Sequence, residues 1–205
     1  MKGCLALLVL FIVIVGAALG WLYRGRLQRA LRSGPEPKVA AIAVHPDPAQ
    51  LVAARKQLDG LRRGKDSVVL TPAQAASWTG TLFGTVGGAM IDSLSVALGS
   101  GVMEVRGAAV TSRLPSGVVG PLGIMLRDRE PLRILGRVSG AGAGRGVMEV
   151  LEMDVRGIPV PDDVMHKLTQ GLFGTSGAVE FELPAGAMDV RVRPDGMTLY
   201  KTERR

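Results

Sequence analysis

Three hydrophobic patterns follow one another along the chain. The first is unbroken: residues 4–23, CLALLVLFIVIVGAALGWLY, carry no charge. At about 1.5 Å per residue such a run spans about 30 Å as a helix, the thickness of a hydrocarbon core. Trp21 and Tyr23 stand where an interfacial belt belongs. An N-terminal transmembrane helix is the expectation, with a cleaved signal peptide as the rival, because Ala18 and Gly20 give a small-x-small pattern ahead of Trp21.

The second pattern is helical. After a Pro-Gly linker at residues 33–38, Asp47 is placed to cap a helix that Pro48 starts, with Leu51, Leu58 and Leu61 at roughly helical spacing and Gly64 as its end. Thr71 and Pro72 repeat that opening. A third helix is expected over residues 160–172, with Asp162 and Asp163 in its first turn, where carboxylates suit the dipole.

The third pattern has a period of two. Leu94, Val96 and Leu98 alternate with small residues, Gly99 to Gly101 turn, and residues 102–110 run back. Residues 122–126, 132–138 and 147–155 read as further strands, the last two joined by the loop GAGAGRG at 140–146. Residues 187–201, AMDVRVRPDGMTLYK, give a hairpin around Pro194, Asp195 and Gly196.

A repeat underlies this order. Leu82-Phe83-Gly84-Thr85 recurs ninety positions later as Leu172-Phe173-Gly174-Thr175, with Thr79 matched by Thr169 and Gly87 by Gly177. Each copy follows a Pro-started helix and leads into alternating strands, directly in the first and after the linker ELPAG in the second. The arrangement reads as a duplicated helix-plus-hairpin unit.

Charge changes the picture less than the net value of +7 suggests. Lys2, Arg24, Arg26, Arg29 and Arg32 lie in the first 32 residues, which hold no acid. The remainder has 20 basic and 18 acidic residues, a net of +2. A nucleic-acid face would concentrate charge on the domain itself, so no nucleic-acid partner is expected. Orientation is contested: the positive-inside rule places these arginines in the cytoplasm, yet they equally suit lipid headgroups on the outer face, and only three residues precede the run. The expectation is a domain outside the cytoplasm.

Catalytic chemistry is sparse. Cys4 is the single cysteine, so the chain forms no internal disulfide and offers no thiol cluster; a lipid-modified cysteine would follow the apolar run, whereas Cys4 opens it. GAGAGRG invites a phosphate-loop reading, but a strand-like VMEVLEMDV follows where a dinucleotide fingerprint needs a helix. His45 lies in a Pro-rich linker and His166 on a helix one turn after Asp162, and two imidazoles without a third ligand make no zinc site. Neither a G-x-S-x-G elbow nor a Ser–Lys pair at catalytic spacing is present. Glu149, Glu152 and Asp154 read as a solvated strand face, with Glu152 and Asp154 on one side and Glu149 on the other. No enzyme, metal or cofactor is expected.

The order of elements resembles a known family. L-T-P-A-Q-A at 70–75, V-R-G-I-P-V-P at 155–161, and F-E-L-P-A-G with V-R-V-R-P-D-G-M-T-L across 181–199 are similar to the opening, middle step and closing segment of tubular lipid-binding (TULIP-like) domains in bacterial membrane-anchored proteins, the YpmS-like and LmeA-like families. The resemblance covers about residues 66–201. It implies an α+β fold in which a transmembrane helix precedes a strongly curved antiparallel sheet, a half-barrel with helices packed on it, enclosing an apolar groove for acyl chains. It carries no catalytic residues.

The expected organisation is an anchor and basic juxtamembrane segment at 1–32, a linker and short helix at 33–65, and the TULIP-like domain at 66–205. The expected groove lining is Leu94, Val96, Leu98, Val102, Leu122, Ile124, Leu126, Leu135, Val147, Leu151, Leu172 and Phe173. The methionines at 90, 103, 125, 148, 153, 165, 188 and 197 are further candidates, since thioethers adapt to varied chains. Trp21, Tyr23, Arg24, Arg26 and Arg29 are expected at the membrane interface. The expected partner is membrane lipid, in a single-pass protein of the cell membrane that binds lipid or another apolar ligand; the alternative is a non-enzymatic structural protein engaging an envelope protein.

Overall fold

The computed structural model describes residues 39, 42–86, 91–113, 127–142 and 144–202. The chain divides into two units, Met1–Glu36 and Pro37–Arg205, and every described residue belongs to the second. The apolar run and its flanking arginines therefore lie outside the described residues. Among those described, no helix is long and apolar enough to cross a membrane.

Helix α1 is Pro48–Arg62. The Asp47 carboxylate accepts from the N–H groups of Ala49 (2.7 Å) and Gln50 (3.0 Å), satisfying two donors that the first turn leaves unpaired. Ala54, Leu58 and Leu61 bury one stripe of the helix. It closes as Arg63 N–H donates to Asp59 O, and Gly64 follows at φ +101°. Strand β1 is Ser67–Leu70, and α2 is Pro72–Val86. Thr71 and Gln74 cap α2 reciprocally, each main-chain N–H donating to the other's side chain.

Residues 74–79 of α2 are all buried, so the helix is enclosed on every side there. Two open antiparallel sheets and α1 enclose it. The larger holds β2 (Ile91–Leu98), β3 (Val102–Val110), β4 (Arg129–Gly142), β5 (Arg145–Val155) and β6 (Ile158–Pro159) in that order. Strand β7 (Ala178–Glu182), which follows helix α3 (Asp162–Phe173), also pairs with β5. The smaller sheet has β1 and β8 (Asp189–Arg193) flanking β9 (Gly196–Tyr200).

The α+β class and antiparallel pairing are as expected, but the strong curl is not: the six-stranded sheet is neither closed nor strongly curled. Its ends explain why it does not close. Val44 exchanges both main-chain hydrogen bonds with Val96, covering the outer edge of β2, while β6 is two residues long and ends in proline, which cannot donate to a further strand.

One face of this sheet meets the helices. Met103, Val105, Ile134, Val138, Met148, Val150 and Met153 lie on it. The opposite face carries Glu104, Arg133, Arg137, Glu149, Glu152 and Asp154. The sequence reading placed Glu149 apart from the other two acids; the structure puts all three together. Glu152 pairs with Leu135 and Glu149 with Arg137, so Leu151 is an extra residue in a β-bulge that reverses the side-chain alternation.

GAGAGRG is mostly strand, with β4 running to Gly142 and β5 starting at Arg145. Its glycines permit close approach: a β-carbon on Gly146 would stand 2.4 Å from the Phe181 ring. The ninety-residue repeat holds for the short strand and the helix, since β1 and α2 precede β6 and α3 at that offset. It does not hold for the hairpins, because β7 intervenes in the second copy.

Candidate functional site

An open groove of about 910 Å³ lies between α1, α2 and β7. Its apolar floor is Leu58, Trp78, Leu82 and Phe181, and its rim carries Arg55, Asp59, Arg62, Arg145, Glu180 and Glu182. Trp78 and Leu82 are one turn apart on α2 and so project together. The Trp78 and Phe181 rings meet edge to face, with centroids 6.1 Å apart and an interplanar angle of 75°. Beneath this pair lies an apolar void of about 20 Å³, which Thr79, Phe83, Met103, Met148 and Val179 complete. Trp78, Leu82 and Phe181 line both spaces. The groove's volume falls within the range of about 300–1,000 Å³ usual for small-molecule sites.

The rim is charged but balanced. Arg145 Nη1 stands 3.8 Å from Glu180 Oε2. Glu180 and Glu182 alternate with Phe181 along β7, so the strand shows carboxylates on one face and its ring on the other.

The expected lining residues lie elsewhere. Val96, Leu98, Val102 and Leu135 are buried, and Leu94, Val147, Leu151 and Phe173 are half-buried. None of these eight lines the groove or the void. Leu172 falls in α3, and Leu122, Ile124 and Leu126 lie outside the described residues, as do Trp21, Tyr23, Arg24, Arg26 and Arg29. The strand alternation singled out apolar residues correctly but not the face they take: Val102 and Leu135 point to the charged side of the sheet, while Val96 and Leu98 pack in the core. Among the methionines, Met103 and Met148 line the void, Met153, Met165 and Met197 are core, and Met188 is exposed.

The charged face of the sheet is organised around Arg133. Its Nε donates to Glu104 at 2.7 Å, and its Nη1 donates to Asp154 at 2.7 Å and Glu152 at 3.1 Å. Burial works against the guanidinium's charge, but the hydrogen bonds to Asp154, Glu104 and Glu152 and the charge of Glu104 outweigh it, so its pKa is raised. Arg106 pairs with Glu104 and Arg137 with Glu149. Three arginines thus interleave with four carboxylates as an ion-pair lattice across the strands.

Glu130 is 1% exposed; Oε1 accepts from the Arg127 N–H, while Arg156 Nε reaches Oε2 closely enough to pair with its charge but off the line of a hydrogen bond. His166 Nδ1 lies 2.6 Å from the Asp162 main-chain carbonyl oxygen. His45 Nδ1 lies 3.2 Å from Leu94 O. Among the described residues no group of three or more His, Cys, Asp or Glu is placed to hold a metal.

Sequence reasoning missed Trp78, Leu82 and Phe181. The available signal was scarcity: with two tryptophans and four phenylalanines in the chain, an aromatic residue on a Gly/Ala-rich helix marks a position that needs volume. Compared with known proteins, the chain matches no protein-family model, no curated protein and no solved structure.

Proposed function

We propose that this chain is a membrane-anchored, non-enzymatic module that holds one chain of a lipid, or a similar apolar ligand, in the groove between α1, α2 and β7. The observation that carries this reading is the continuity of apolar surface from the groove floor, through Trp78, Leu82 and Phe181, to a void in the interior. Arginines on the rim suit a carboxylate or phosphate at the ligand's polar end. The anchor is residues 4–23, a single span of the cell membrane, with the domain outside the cytoplasm. The relation to tubular lipid-binding domains belongs to the same proposal. It is supported by the enclosed helix α2, and it takes a form with open sheets in place of one curled sheet.

A second reading is a solid structural module that engages an envelope protein. The small size of the void favours it, since about 20 Å³ is scarcely room for one water. One experiment separates the two. Trp21→Phe leaves Trp78 as the single tryptophan. The full chain in phosphatidylcholine nanodiscs is then titrated with a brominated fatty acid, whose heavy atoms quench nearby indole. Saturable quenching of Trp78 is the expected result. Emission that follows only the bilayer's bromine content would sink the lipid reading.

A further inference from the structure

Charge is distributed unevenly over the described residues. On the sheets and their turns, Arg106, Arg129, Arg133, Arg137, Arg145, Arg156 and Arg191 each have a carboxylate within 4.0 Å, while Arg127, Arg193 and Lys201 have none among the described residues. Along α1 and the turn after it, Arg55, Lys56, Arg62, Arg63 and Lys65 have none among the described residues. Arg63 Nε reaches only a main-chain carbonyl, that of Asp59, at 3.4 Å.

Three of these cations share one place. A cleft of about 630 Å³ between α1 and β1 is lined by Lys56, Arg63 and Lys65, with Gln57, Ser67 and Val69, and no carboxylate lines it. Gly60 makes the cleft possible. A β-carbon there would stand 2.9 Å from Lys65 Cδ, so the lysine stem lies across the bare helix backbone. Asp59, the acid of α1, lines the other groove instead. Like charges gathered around one concavity repel one another, and an anion seated among them relieves that repulsion.

Apolar groups flank the same surface. Val52 is 67% exposed and Val69 is 59% exposed. At 100° per residue, Val52 and Lys56 fall on one stripe of α1, and Arg63, the residue that closes the helix, continues it. Cations beside exposed aliphatic side chains match the boundary of an anionic bilayer, where phosphates lie above acyl carbon. A nucleic-acid strand would instead favour stacking aromatics, and the cleft lining has none.

We propose that the cleft between α1 and β1 docks on the phosphate-bearing headgroups of an anionic bilayer, with Val52 and Val69 entering the headgroup layer. The proposal rests on the anchor reading for its geometry, because residues 24–47 tie α1 to the apolar run. Lys56, Arg63 and Lys65 contact phosphate, and Gln57 and Ser67 supply neutral donors. The docked face is distinct from the groove floored by Trp78, so docking would leave that groove unobstructed by these residues.

The test uses the full chain with Cys4→Ser and Val52→Cys, labelled at position 52 with an environment-sensitive fluorophore. It is placed in nanodiscs of phosphatidylcholine alone or with one third phosphatidylglycerol, each containing a lipid-borne quencher. Quenching that requires phosphatidylglycerol and fades with added salt is the expected result. Each cation beside an anionic leaflet contributes about fivefold to partitioning, so K56Q/R63Q/K65Q lowers the docked-to-free ratio by about a hundredfold. K56R/K65R retains it, and urea unfolding confirms that both variants fold.

Equal quenching in both lipids, or quenching unmoved by the neutral variant, overturns the proposal. So does an equal fluorescence response to inorganic phosphate without anionic lipid, which marks a free-anion site. A chain that leaves the nanodiscs on gel filtration refutes the anchor instead. Docking is then read from flotation of that chain with phosphatidylglycerol vesicles, where flotation supports the proposal and its absence overturns it.

Discussion

Gly140 of β4 lies against Asp189 of β8: a β-carbon at position 140 would stand 2.6 Å from Asp189 Oδ1 and 3.0 Å from its Cα. This contact, together with the hydrogen bond from Gly101 N–H to Val192 O at 2.9 Å, is where the two sheets meet. Asp189 has little freedom to yield, since Oδ1 also accepts from the Val190 N–H at 2.8 Å. Gly140→Ala is therefore expected to cost about 1–3 kcal/mol through overpacking. Urea unfolding checks it: the midpoint should fall with the slope unchanged. A wild-type midpoint would show that the sheets are less tightly apposed.

Arg133 gives a prediction on the alkaline side. A group whose folded pKa is raised contributes stability in full below its unfolded value, and that contribution is lost as pH rises through the folded value. For this guanidinium both values lie above the range in which unfolding is ordinarily measured, so its contribution stays level between pH 7 and pH 11. In Arg133→Lys the three neighbouring carboxylates hold the ammonium's folded pKa above the ordinary lysine value of about 10.4, so its contribution is full below that value and declines as pH rises past it. The variant should lose about 1–2 kcal/mol at pH 7 because an ammonium cannot hold three carboxylates in a fork. The difference in stability between wild type and variant should widen above about pH 10; a constant difference would contradict the assignment.

The two repeated threonines should respond differently. Both are buried, Thr79 at 1% and Thr169 at 0% exposure. Thr169 Oγ1 accepts from the Gly177 N–H at 2.7 Å and shares its one O–H between the Met165 and His166 carbonyls, whereas among the described residues Thr79 Oγ1 reaches only Met103 Sδ, at 3.8 Å. Thr169→Val leaves a buried N–H without an acceptor and should cost about 1–3 kcal/mol. Thr79→Val should cost under about 1 kcal/mol. Thermal unfolding of the two variants side by side gives the order, and a reversed order would refute this account of the second copy.

The elements legible in the sequence were those whose signal is local. Asp47-Pro48 and Thr71-Pro72 announced α1 and α2, and the run around Pro194 announced the hairpin of β8 and β9, because caps and turns depend on neighbours in the chain. Strands β1, β6 and β7 went unseen because each is short and exists through a partner distant in sequence, as β7 does through β5. The groove was illegible for the same reason. Trp78 and Phe181 are separated by more than half the domain, and no period relates them. GAGAGRG misled in a different way, since its glycines signal loop by composition, yet Gly140 and Gly146 serve close approach within strands.

The bulge at Leu151 makes β5 change parity partway along. Before it the core-facing residues are even-numbered, Met148 and Val150; after it they are odd-numbered, Met153 and Val155. An ordinary alternating strand can slide by two residues against its neighbour and still keep its apolar side inward. This one cannot while the bulge stays opposite Leu135 and Gly136, because a two-residue slide then turns Glu152 toward the helices in one direction and Val150 away from them in the other. Leu151 thus acts as a keyway: it admits one alignment of β5 on β4 and rejects the neighbouring ones that a plain repeat would tolerate.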